Sequence, residues 1–228
     1  MKGDQVEIPV KLTQYTELRR TIKMTQIFRI THVNNLPFIL QNGVHCPNAA
    51  VQDPNFTPIG FPTLIDYRKN RLVPKPPGGT LADYVPFYFW YRSPMLYVIN
   101  QGNDPEVIRT PQAEIIYLVS SFEALAISNS SFVFTDRHAK LEYANFYESP
   151  QEVSALSWKI IKSDQWGRQY GAERKEVKQA ECLVHQHVPL SAIIGIAVHN
   201  SEIQQLVNQQ LLAANVQIPV KIKPEFYF

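Results

Sequence analysis

Four stretches of the sequence carry residues that could do chemistry. In QAECLV (179–184), Glu181 opens an apolar run just after Arg174, Lys175 and Lys178. A carboxylate at the head of a half-buried strand has its proton affinity set by its surroundings, which is what acid/base work needs. Taken alone, such a glutamate more often has a structural role. In YRKNRLVPK (67–75), Arg68, Lys69, Arg71 and Lys75 gather positive charge beside the rigid turn PKPPGG. Arg forks there could match phosphate oxygens of a pyrophosphate or a nucleic acid, and a solvated basic helix is the competing reading. In DYVPFYFWYRSPMLY (83–97), seven of fifteen residues are aromatic, more than one core face needs. Faces left over beside Arg92 could stack on a nicotinamide or an unpaired base; a buried core strand is the ordinary alternative. Finally, His185 and His187 stand two apart on an expected strand, so they share a face. No third ligand accompanies them, and a metal site is not expected.

Common catalytic signatures are missing. The sequence has no GxGxxG, no GxxxxGK[ST], no HExxH and no GxSxG. Cys46 and Cys182 are far apart and form no CxxC pair, so reduced thiols in a cytoplasmic protein are expected. The N-terminal residues show no long apolar run, which argues against a signal peptide, and no stretch approaches the length of a membrane span. Hydrophobic residues make up 45% and charged residues 18%, enough for a packed core. A net charge of +2 neither demands nor excludes a polyanionic partner, so any nucleic-acid surface must come from local clustering.

The elements that must position these residues are those of a mixed chain. Residues 1–24 are polar and read as an N-terminal extension to one domain over 25–228. Residues 26–31 (QIFRIT) read as a first strand, followed by a helix through Leu36, Ile39 and Leu40 that Asn34 or Asn35 caps and Gly43 ends. Residues 47–61 form a loop long enough to suggest function. A short helix over 65–71, an aromatic strand over 83–90 and a helix opened by Ser93-Pro94 follow. Strands are expected at 115–119 and 132–134 with a helix at 122–127 between them. Ser149 caps a helix over 150–157, and 163–179 is polar. Further strands fall at 181–185, 194–198 and 216–222, with a helix over 201–213 that turns Leu206 and Leu211 inward. This is α+β, without the alternation of a doubly wound fold.

These stretches occur, in this order, in a known family. ITHVNNLPFILQNG (30–43), VPKPPGGTLADYVPFYF (73–89), RSPMLYVI (92–99), LVSS (118–121), FVFTDRHA (132–139) and QAECLVHQHVP (179–189) resemble DarT, the DNA ADP-ribosyltransferase toxins of bacterial toxin–antitoxin pairs. The resemblance runs from Gln26 to the C-terminus. It implies an ADP-ribosyltransferase fold of split mixed β-sheets with flanking helices. It also implies NAD as substrate, without a metal, and ADP-ribose transfer to a base, thymine or guanine, of single-stranded DNA. The implied partner is a macrodomain antitoxin of the DarG kind that removes the modification; some members of the family act in phage defence.

Position by position, the resemblance makes Glu181 the catalytic glutamate and Arg68 the catalytic arginine, with Lys69 next in line if the alignment carries a gap. Arg29, Thr31, His32, Asn35, Arg68, Tyr88 and Met95 are expected at NAD. Lys69, Arg71, Tyr88, Arg92, His138, Arg174, Lys175 and Lys178 are expected at DNA. Arg29 departs from the family, where many members have His. Rival readings are a transferase of the same fold acting on RNA or protein, a non-catalytic nucleic-acid-binding relative, and an NAD hydrolase.

Overall fold

The computed structural model describes residues 25–102 and 104–228, so the expected extension over 1–24 lies outside the described residues. Eight strands form one sheet in the order β10-β9-β4-β1-β3-β7-β5-β6. They are β1 (Gln26–His32), β3 (Tyr84–Tyr88), β4 (Ile115–Ser121), β5 (Phe132–Thr135), β6 (Phe146–Tyr147), β7 (Glu181–His185), β9 (Gly195–Val198) and β10 (Val220–Ile222). A separate ribbon pairs β2 (Val44–His45) with β8 (His187–Val188). Only β9 and β10 run parallel; the other pairs are antiparallel. The centre of the large sheet is its weak line. β1 pairs with β4 over seven registers, whereas β1 and β3 share only Phe28↔Tyr88. The sheet splits there, and the split opens a cleft.

Strand character follows the sequence closely where apolar and β-branched residues run together, as in IIYLVSS (115–121), which is buried at all but one position. The aromatic strand ends earlier than expected, at Tyr88. Beyond it Phe89 packs edge-on against Phe122, Phe134 and Trp158, while Trp90 stacks on Tyr91 and Tyr91 on Phe226. The surplus aromatics therefore build core and a C-terminal cluster; only Tyr84 and Tyr88 of this stretch's rings reach the cleft. The expected strand over 216–222 shortens to Val220–Ile222, because Pro219 has no N–H to donate.

Helices flank the sheet: α1 (Leu36–Asn42), α2 (Pro62–Asn70), α3 (Pro94–Gln101), α4 (Phe122–Ile127), α5 (Trp158–Ile161), α6 (Ala172–Lys178) and α7 (Ser201–Ala213). Ser93 caps α3 by accepting the Leu96 N–H at 3.2 Å, as its Ser-Pro opening predicts. Asn35 stands at the N-cap of α1, but its side chain makes no capping bond. Gly43 ends α1 at φ 73°, and a Cβ there would strike the His187 ring and the Val188 carbonyl. The helix expected over 150–157 is a 3-10 turn, Pro150–Ala155, followed by α5. In α7 the buried residues are Ile203, Val207 and Leu211, while Leu206 is exposed, which corrects its expected inward placement.

Candidate active site

The cleft is a cavity of about 340 Å³, lined from both sides of the split. That is enough room for a sizeable ligand. Glu181 opens β7 directly opposite Tyr88 of β3, and paired antiparallel residues share a face. The strand therefore aims the carboxylate into the cavity. Glu181 is 2% exposed. Its backbone N–H donates to Thr135 Oγ1 at 3.1 Å, which fixes the head of the strand.

A buried carboxylate is costly unless its oxygens are partnered. Glu181 Oε2 accepts from Arg68 Nη1 at 3.0 Å, and Oε1 accepts the Ala139 backbone N–H at 3.2 Å. His138 Nδ1 lies 2.9 Å from Oε1. Burial pushes the carboxyl pKa up; Arg68 and then His138 more than offset this, bringing it down to about 2. Glu181 is thus ionised at neutral pH. Arg68 reaches it from α2 and carries a buried Nη2 with no partner among the described residues. That donor is left available to an acceptor oxygen.

The β1 wall supplies Arg29 and Thr31, two apart and on one face. Arg29 Nη1 donates to the Pro86 carbonyl at 3.1 Å. Burial, with Arg68 nearby, lowers its pKa to about 10, so it stays charged. Burial raises the Tyr88 phenol pKa and the nearby Glu181 charge adds to this, so the phenol stays neutral. Asn35 and Met95 also line the cavity. Asn35 clamps the 47–61 loop: its Nδ2 donates to the Thr57 carbonyl at 2.9 Å, and its Oδ1 accepts the Thr57 N–H at 2.8 Å. The same Nδ2 donates to Thr31 Oγ1 at 3.0 Å. The loop in turn brings Val51, Asp53, Phe56 and Ile59 to the cavity.

Several expected residues are elsewhere. His32 falls on the opposite face of β1, bonded to Glu114 at 3.0 Å, and does not line the cavity. Lys69 pairs with Asp66 at 2.8 Å on the exposed side of α2. Arg71 donates to the carbonyls of Leu141 and Glu142 and ties α2 to the 139–142 segment. Arg92 holds the Tyr227 carbonyl at 3.0 Å and Asp164 at 3.3 Å. Arg174 donates to Gln165 O and Ser163 Oγ. Lys178, read from sequence as a surface cation, is 2% exposed and donates to the Ile161 carbonyl at 3.0 Å. It is a structural contact that cannot reach a phosphate. Lys175 is exposed, and none of these residues lines the cavity. His138 does line it, but against Glu181.

His185 and His187 do not form one site either. Gln186 adopts φ 58° between them and breaks the alternation; His185 meets Tyr84, and His187 stacks on His45 at 4.4 Å. Among the described residues no group of three or more His, Cys, Asp or Glu could hold a metal ion, and no helix is long and apolar enough to cross a membrane. Sequence reasoning missed Tyr67, Lys140 and Asp53 as cavity residues. Lys140 follows His138 by two and Tyr67 precedes Arg68, so adjacency to the chosen residues was the available signal.

Comparison with known proteins accords with this geometry. The family model described as "ssDNA thymidine ADP-ribosyltransferase, DarT" matches residues 28–228. A DNA ADP-ribosyl transferase of Escherichia coli O127:H6 is 40% identical over 203 residues, covering 89% of this chain and 93% of that protein. The structure of Thermus sp. 2.9 DarT in complex with ADP-ribosylated ssDNA superimposes with a TM-score of 0.83 at 36% identity, covering 90% of this chain and 97% of that one. The same Thermus protein in complex with NAD+ gives 0.79. A Thermosipho africanus relative, 26% identical over 210 residues, is a DNA ADP-ribosyl transferase–DNA ADP-ribosyl glycohydrolase fusion protein of which the match covers 50%. The mixed split sheet is thus the ADP-ribosyltransferase fold, and the chain belongs to the DarT family of single-stranded-DNA thymidine ADP-ribosyltransferases.

Proposed function

We propose that this chain transfers ADP-ribose from NAD to thymine in single-stranded DNA, with Glu181 and Arg68 as its catalytic pair. The observation that carries the proposal is a buried carboxylate, aimed into a cavity, held ionised by Arg68 and His138. In the reaction the bond between nicotinamide nitrogen and ribose C1′ breaks, and its electron pair leaves on nicotinamide. C1′ becomes oxocarbenium-like, and a base nitrogen forms the new bond to it. Thymine in DNA has a single ring N–H, so that nitrogen must shed its proton as the bond forms.

An anionic group beside C1′ stabilises the developing positive charge and can take that proton. Glu181 fills this role. Arg68 offers its unpartnered Nη2 to a pyrophosphate or carbonyl oxygen. Asn35, through the Thr57 clamp, sets the loop that closes over NAD, and Met95 and Tyr88 supply apolar and aromatic wall. The base must be unstacked to reach C1′, which favours a single strand.

The Thermosipho fusion supports pairing with a glycohydrolase antitoxin of the macrodomain kind, and so a place in a toxin–antitoxin system. The test is mass spectrometry of nucleosides from oligonucleotides treated with the enzyme and NAD. An ADP-ribosyl adduct on thymidine with the wild-type chain, and none with Glu181→Gln, is expected. An adduct on deoxyguanosine, on RNA alone, or undiminished in Glu181→Gln would overturn the corresponding part of the reading.

A further inference from the structure

Three cationic side chains line the cavity: Arg29, Arg68 and Lys140. Two are engaged, Arg29 with the Pro86 carbonyl and Arg68 with Glu181. The Lys140 ammonium has no hydrogen-bond or ion-pair partner among the described residues. Besides Glu181, the acid on this cavity is Asp53, whose Oδ1 instead accepts the Asn55 N–H at 2.8 Å.

The backbone under Lys140 is firmly mounted. Tyr67 donates its hydroxyl to the Lys140 carbonyl at 3.1 Å, and Arg71 Nη2 holds the Leu141 carbonyl at 3.0 Å. On the other side, the Ala139 N–H is fixed to the Glu181 carboxylate at 3.2 Å. Lys140 is half-buried, so its stem follows the cavity wall while the ammonium keeps its freedom. A flexible cation on a rigid mount, one residue from the contact with Glu181, is suited to a phosphate that arrives with the reacting group.

Of the cations first expected at DNA, Lys175 is exposed away from the cavity and the others are engaged. Arg71, Arg92, Arg174 and Lys178 hold main-chain carbonyls, and Lys69 is paired with Asp66. We propose that Lys140 binds a backbone phosphate of the acceptor strand beside the nucleotide whose base enters the cavity. The proposal rests on the reading of the chain as a DNA ADP-ribosyltransferase. NAD pyrophosphate has the same chemistry. Position favours the strand, since the anchors of Lys140, Tyr67 and Ala139, surround the Glu181 end, where the acceptor base must arrive.

The test compares wild type, Lys140→Ala, Lys140→Gln and Lys140→Arg on a thymine-containing single-stranded oligonucleotide. Transfer is measured across a salt series, NAD affinity by titration, and fold by circular dichroism and melting. Lys140→Ala and Lys140→Gln should raise KM for the oligonucleotide roughly tenfold, as loss of a charge-assisted contact does. They should also flatten the dependence of log KM on log salt by about 0.7, the contribution of one single-strand phosphate. Lys140→Arg should recover most of both, and the NAD dissociation constant should not move.

Unchanged KM and salt slope in well-folded Lys140→Ala or Lys140→Gln, with wild type active, would overturn the inference. So would weakened NAD affinity with an unchanged salt slope, which would assign the phosphate to NAD. Failure of the wild-type chain to modify any oligonucleotide would overturn the underlying function as well, and is distinguished because it precedes any substitution.

Discussion

Replacing Arg68 with alanine should cost stability as well as activity, and the cost can be worked from the geometry. Glu181 would keep the Ala139 N–H and His138 but lose the guanidinium 3.0 Å away. Its pKa of about 2 lies below the ordinary 4.5 although burial acts upward, and Arg68 is foremost among the groups acting downward. The difference corresponds to about 3 kcal/mol, at about 1.4 kcal/mol per pH unit. Because the folded pKa is depressed, this stability is complete above pH 4.5 and is lost as pH falls toward 2.

Arg68→Ala should therefore destabilise the chain by about 3 kcal/mol at pH 7, in the range for breaking a buried pair. Glu181→Gln removes the charge that Arg68 serves. The double variant should then be less destabilised than the sum of the two, with a coupling of about 2 kcal/mol. Urea unfolding of the four proteins at pH 7 and near pH 2 measures this. At the lower pH the coupling should shrink as Glu181 takes up a proton. Additivity within about 0.5 kcal/mol at pH 7, or equal coupling at both pH values, would refute the reasoning. In the transfer assay, Arg68→Ala should lower kcat by a factor on the order of 100 to 1000, the usual cost of one electrostatic donor.

Asn35→Ala removes both Thr57 bonds and the Thr31 contact. It should raise KM for NAD and speed hydrogen exchange of the Thr57 amide, at a stability cost of about 2 kcal/mol. Lys178 has its pKa lowered to about 8, chiefly by burial, so the unfolded chain binds more protons above that pH. Its contribution to stability should accordingly rise between about pH 8 and the ordinary lysine value, and Lys178→Met should abolish that rise in pH-dependent melting without changing DNA affinity. Leu211→Ala should cost about 3 kcal/mol and Leu206→Ala less than about 0.5 kcal/mol by urea titration, since only the former is buried.

Local rules carried the elements that depend on local causes. Ser93-Pro94 placed the start of α3, Gly43 the end of α1, and the apolar run after Glu181 its strand. Leu206 failed for a reason visible in the sequence: five residues at 100° each leave it 140° from Leu211, so both cannot face inward. Ile203, Val207 and Leu211, four apart, take the buried stripe. The partners of the charges were not legible, because they come from distant segments. Arg68 and Glu181 are 113 residues apart, and Arg92 finds the Tyr227 carbonyl 135 residues on. A run of cations reads as a surface, yet Lys178 turns to the carbonyl that ends α5 and Arg71 to that of Leu141. The resemblance to DarT supplied the order of motifs. It carried nothing about which cation still had a free hand.

The low pKa of Glu181 bears on how the site can work. A carboxylate held at about 2 is a weak base, so the contact with Arg68 that stabilises the fold opposes proton transfer to Glu181. The conflict is resolved if substrate competes for the guanidinium. Arg68 already presents an unpartnered Nη2, and a phosphate or carbonyl oxygen bound there draws the positive charge toward itself. Each increment of charge drawn off raises the proton affinity of Glu181, since burial then stands less opposed. Base strength is thereby tied to occupancy by the reacting partners. The pH–rate profile carries the signature: the acidic limb of kcat should lie above the value of about 2 to which Arg68 and His138 bring Glu181, and Arg68→Lys, which keeps charge but not the fork, should shift that limb again.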